Sequence, residues 1–180
     1  TVRFSLLGGL GKRLPVPGAA FALAAAGLAG LPPLAGFAGE LTLALAMLQG
    51  LDLPGLLPRV GMAAALAMLA AVGGFALAAL AKAHGLTFLG APRTPAAAEA
   101  ENPGPLALLP IMVLAGGCLA AGFAAPWLFH LVALAALTVP GLDPGPARLA
   151  LANALGVQWG VLVVSVALVG LVALLVLARN

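Results

Sequence analysis

The feature that most constrains this chain is a succession of long apolar stretches, at about residues 15–49, 58–81, 106–125 and 157–178, with the charges held almost entirely between them. About 20 consecutive apolar residues are what an α-helix needs to cross a ~30 Å hydrocarbon core. Of the 180 residues, 63% are hydrophobic and 7% charged, against roughly 25% charged in a soluble domain. There is too little polar surface to cover such segments in water. Strands are not expected, because the stretches lack apolar/polar alternation and exceed the ~10 residues of a membrane-barrel strand. The expected fold is all-α: a polytopic transmembrane helix bundle forming a single membrane domain, with the lipid bilayer as its surroundings.

The first stretch is too long for one straight crossing. As a continuous helix from Pro15 to Leu48 it would extend ~50 Å, and Gly30-Leu31-Pro32-Pro33 interrupts it. Two successive prolines remove two amide donors and disfavour helix at the residue before them. Either one crossing is broken near 31–33, or the stretch is a hairpin of two short spans. The basic residues separate these readings. With one broken crossing, Arg3, Lys12, Arg13, Lys82, Arg93 and Arg179 share a side, and Arg59 and Arg148 take the other. A hairpin divides them five against three. The positive-inside rule favours the stronger bias, so four crossings are expected, with a discontinuous first helix and both ends in the cytoplasm.

The connections carry their own signals. Residues 90–105, with Arg93, Glu99, Glu101 and several prolines, read as an exposed loop. The third stretch breaks at Pro126, where Trp127 and His130 suit a membrane interface and a continuing surface helix. A Pro/Gly-rich connection at 140–146 precedes the fourth stretch. The chain opens on Thr1 rather than Met, with no signal-peptide pattern, and is expected to be a piece of something longer.

Several chemistries are disfavoured. The net charge is +3, but the basic residues are scattered and form no nucleic-acid patch. Gly9-Leu10-Gly11-Lys12 lacks phosphate-loop spacing, since Leu6 stands at the first glycine and Arg13 where Ser or Thr should follow. One cysteine, Cys118, allows no internal disulfide, and two distant histidines suggest no metal site. No cofactor is expected and no catalysis by this chain alone; any redox chemistry must come from partner subunits.

Glu40 is the exception to the charge pattern. It stands inside the second half of the broken stretch, between Gly39 and the apolar run from Leu41 to Leu48. Comparable charges at the bilayer centre cost ~2.5–3.5 kcal/mol on insertion scales. An ionisable group beside unwound mid-membrane backbone is how many transporters build an ion site. Gly30, Pro32, Pro33 and Gly36 form the break, and Gly36 and Gly39 leave room for water or a neighbouring helix. The alternative is a structural carboxyl held by amides freed at the break. Lys82 and His84, at the far end of the second stretch, are weaker candidates for a proton path: a lysine there can simply snorkel, whereas imidazole titrates near neutrality.

Gly8-Gly9-Leu10-Gly11-Lys12-Arg13-Leu14-Pro15, followed by Ala29-Gly30-Leu31-Pro32-Pro33-Leu34-Ala35-Gly36-Phe37-Ala38-Gly39-Glu40, resembles the proton-pumping membrane subunits of respiratory complex I and their relatives. Lys82-Ala83-His84-Gly85-Leu86-Thr87-Phe88-Leu89-Gly90-Ala91-Pro92-Arg93 looks closest to the hydrogenase-4 component B and formate hydrogenlyase branch. The resemblance implies that Glu40 is a terminal station of a proton channel on a discontinuous helix, with Ala35 replacing a frequent Asn. It implies other membrane subunits and peripheral redox subunits as partners, and a bacterial inner membrane. The family's upstream glutamate and lysines have no counterpart in this chain. The rival readings are a subunit of a multisubunit cation/proton antiporter and a structural membrane scaffold.

Overall fold

The computed structural model describes residues 3–140 and 144–179. Thr1 and residues 141–143 of the expected 140–146 connection lie outside the described residues. The elements are α1 (Pro15–Leu28), α2 (Ala35–Gly50), α3 (Leu56–Phe88), α4 (Pro95–Ala98), α5 (Pro105–Phe123), α6 (Ala125–Ala136) and α7 (Pro144–Arg179), with short 3-10 turns at Phe4–Leu6 and Leu10–Lys12. No strand occurs among the described residues.

The bundle is all-α and turned inside out relative to a water-soluble fold. Large apolar side chains point outward along its helices, with Phe75 77% and Leu106 86% exposed, while the buried apolar side chains are few. Such a surface fits lipid, where the backbone bonds internally within helices and side chains need not avoid an apolar solvent. Among the described residues, α3, α5 and the Ala147–Leu171 portion of α7 are long and apolar enough to cross a membrane. Helices α1 (14 residues) and α2 (16 residues) are each shorter, about 21 and 24 Å by helical rise. Both pack on α3 and on α5, so the interruption between them sits against the two.

Some helices exceed the apolar stretches that announce them. Helix α3 has 33 residues, about 50 Å, and carries Lys82 and His84 within its last turns rather than beyond its end. No proline stops it before Pro92. Helix α7 starts at Pro144, well before Val157, because 147–155 is rich in Ala and Leu, the strong helix formers. The third stretch breaks at Ala124, just before the fully buried Pro126. Helix α6 then lies along α7, with Trp127 meeting Trp159 edge to face at 4.9 Å between centroids.

The two basic motifs near the ends of α1 and α3 form one junction. Gly9 N–H donates to Leu89 O (2.9 Å) and Leu10 is buried. Arg93 Nη1 donates to Phe4 O (3.0 Å), and Thr94 Oγ1 donates to Leu6 O (3.0 Å) while capping α4 through Ala97 N–H (3.3 Å). Gly9 has φ +64°, and a β-carbon there would lie 2.7 Å from Pro92 N. The turn conformation and the close approach both require glycine.

Candidate functional site

The site begins with the way α1 stops. Gly30 adopts φ +66°, its N–H donates to Gly27 O (3.3 Å), and Leu31 N–H donates to Ala26 O (3.0 Å). This is the Schellman arrangement, in which a left-handed glycine closes a helix end. Leu34 N–H then donates to Leu31 O (3.0 Å), closing a turn around Pro32 and Pro33, and α2 begins at Ala35. Gly36 rests against the carbonyl of Gly27, and a β-carbon on it would lie 3.1 Å from Gly27 C. The four break residues Gly30, Pro32, Pro33 and Gly36 thus form one tight re-entry between α1 and α2.

Glu40 stands in the second turn of α2. Helical side chains lean toward the N-terminus of their own helix, and this one reaches back to the break. Its carboxylate lies directly against Gly30, where a β-carbon would sit 2.8 Å from Glu40 Cδ and overlap an oxygen. On the other side a β-carbon on Gly73 of α3 would be 3.9 Å from Oε2. The half-buried carboxyl therefore occupies a slot bounded by glycines of two elements. The slot opens near the N-terminus of α2, whose partial positive charge favours an anion.

The amides freed at the break do not hold this carboxyl. Those of Gly30, Leu31 and Leu34 are bonded to backbone carbonyls, and among the described residues no hydrogen bond or ion pair reaches the Glu40 carboxylate.

Lys82 and His84 lie elsewhere. They are on the helix that passes Glu40 at Gly73, but farther along it by about 14 and 16 Å of helical rise. Lys82 is exposed. His84 is packed between Phe21 of α1 (5.9 Å between centroids, stacked) and Phe88 (5.2 Å), and its Nδ1 is buried without a hydrogen-bond partner.

A second polar cluster was not anticipated. Gln158 of α7 is 2% exposed, and its Nε2 donates to Ala38 O (2.9 Å) and to Thr42 Oγ1 (2.7 Å) of α2. Thr42 Oγ1 in turn donates to Ala38 O (2.8 Å). Ala38 and Thr42 each lie two positions from Glu40, about 200° around the helix. Helix α2 therefore shows its carboxyl to α3 and its neutral polar groups to α7. The available signal was the one side-chain amide in the run from Val157 to Leu177, which is otherwise apolar but for Ser165; Trp159 beside it is the more conspicuous residue.

No family model matches the chain. It is 37% identical over 138 residues to formate hydrogenlyase subunit 3 of Escherichia coli (strain K12), a match covering 77% of this chain and 22% of that protein. It is 30% identical over 122 residues to hydrogenase-4 component B of the same organism, covering 68% of this chain and 18% of that protein. The chain thus matches about a fifth of the length of these curated relatives, which are of the same branch that its motifs resemble.

Proposed function

We infer that this homologue of formate hydrogenlyase subunit 3 and hydrogenase-4 component B is a segment of a proton-translocating membrane subunit, in a hydrogenase or NADH-quinone oxidoreductase type of complex, with Glu40 binding and releasing the proton. The observation that carries this reading is the Glu40 carboxylate, seated against Gly30 at an interruption of apolar helix and free of any counter-ion among the described residues. An ionised side chain is costly within a membrane, so proton uptake and loss there are strongly tied to what surrounds the slot.

Lys82 and His84 extend the path toward the end of α3, across an interval to be bridged by water or by parts of the full-length subunit. The redox reaction belongs to peripheral subunits, and other membrane subunits carry the adjoining part of the path. The distribution of basic residues supports both ends of this segment in the cytoplasm, and the similarity to two Escherichia coli subunits supports a bacterial inner membrane.

The test is Glu40→Gln in the full-length subunit within its complex. Assembly and redox turnover are expected to persist while proton translocation is lost. Normal translocation by a correctly assembled variant would overturn the assignment. Failed assembly with translocation preserved in the assembled fraction would make Glu40 a structural carboxyl and support the scaffold reading.

A further inference from the structure

The face of the broken helix turned away from Glu40 has a feature of its own. Between the break, α5 and α7 lies a cavity of about 10 Å3, lined by Pro33, Leu34, Gly122, Gln158 and Ser165 among others. That is the space of about one water molecule. Two of its walls are polar and almost wholly enclosed, with Gln158 2% and Ser165 3% exposed.

Gln158 is only half satisfied. Its Nε2 makes two hydrogen bonds to α2, while its Oε1 is buried without a partner. Exchanging the two ends of the amide does not help, because Oε1 would then face the Ala38 carbonyl, acceptor to acceptor. The third polar group comes from the break. Pro33 O receives no backbone hydrogen bond among the described residues and lies against Gly122 on the cavity wall.

We propose that this cavity is a binding site for one ordered water, which joins Gln158 Oε1, the Ser165 hydroxyl and the Pro33 carbonyl. The donors and acceptors balance: water donates to Gln158 Oε1 and to Pro33 O, and accepts from the Ser165 hydroxyl. Three partners is the usual number for a buried water. A metal cation fits less well, because the oxygens are all neutral and the positive end of α2 begins beside the cavity. The water fastens α7 to the interruption itself, as Gln158 Nε2 fastens it to the second turn of α2. This site goes beyond the role given to Glu40.

The experiment is a map of the full-length subunit in its complex, at a resolution that shows ordered water, for the wild type, Gln158→Met and Ser165→Val. The wild type is expected to show one density peak within hydrogen-bonding distance of all three groups, in buffers with and without sodium. Both variants are expected to lose it, and Ser165→Val serves if Gln158→Met does not assemble. No peak in the wild type, a peak unchanged in the variants, or one that disappears without sodium would each overturn the proposal. The readout does not involve proton transfer, so it stands or falls separately from the Glu40 result.

Discussion

The carboxylate of Glu40 lies against the α-carbon of Gly30, across the interruption that separates α1 from α2. One residue ends a helix in a left-handed turn, and the other uses the space that the missing side chain leaves.

That relationship predicts coupling between the two positions. Gly30→Ala forces an alanine into φ +66°, at about 1–2 kcal/mol, and drives its β-carbon into the carboxyl. Glu40→Ala removes the obstacle. The double variant is therefore expected to lose less stability than the two single losses combined, measured by unfolding of the full-length subunit. Simple additivity would show that the contact carries no energy.

Position as well as charge should matter at residue 40. Glu40→Asp keeps a carboxyl but withdraws it from Gly30 by about one bond. Where geometry governs a reaction, ~1 Å can cost on the order of 100-fold. Proton translocation by Glu40→Asp is expected between that of the wild type and of Glu40→Gln, with redox turnover retained. Equal translocation by the Asp variant and the wild type would refute the positional argument.

The hydrogen bonds from Gln158 to α2 predict a graded loss. Interhelical hydrogen bonds in membranes average ~0.6 kcal/mol and reach ~1.7. Gln158→Leu removes both bonds and should cost about 1–2 kcal/mol. Thr42→Val leaves the bond to Ala38 O and should cost less. Detergent unfolding of the two variants checks the order, which a larger loss for Thr42→Val would reverse.

The junction at Gly9 should fail locally. Gly9→Ala places a β-carbon 2.7 Å from Pro92 N at φ +64°, and is expected to free the segment from Phe88 to Arg93. Faster hydrogen exchange confined to that segment and to residues 4–12 is the expected result. Exchange spreading equally into α2 would show that the junction holds the site as well.

Orientation can be read with introduced cysteines. Arg59, whose Nε donates to Leu53 O (2.9 Å), stands at the start of α3, and Glu99 follows its far end. With Cys118 replaced by Ala, Arg59→Cys should be labelled only from outside and Glu99→Cys only from the cytoplasm. The opposite pattern would reverse the proposed topology.

The class of the fold and the place of the interruption were legible in the chain, because hydropathy and helix breaking act locally. A glycine followed closely by two successive prolines, Gly30, Pro32 and Pro33, is a strong local helix breaker, and an ionisable Glu40 among leucines and alanines is conspicuous without coordinates. The lengths of α3 and α7 were less legible. Hydropathy marks which residues suit lipid, whereas a helix continues through Lys82 or Arg148 as long as no proline or left-handed residue stops it.

Packing decided what local rules could not reach. That Glu40 turns toward Gly30 and Gly73, that His84 stacks on Phe21, and that Gln158 meets Ala38 and Thr42 all depend on how distant helices are set against one another. Polar groups within apolar surroundings must find partners wherever the bundle brings them. Composition announces that such groups exist, and the arrangement of the helices chooses which of them meet.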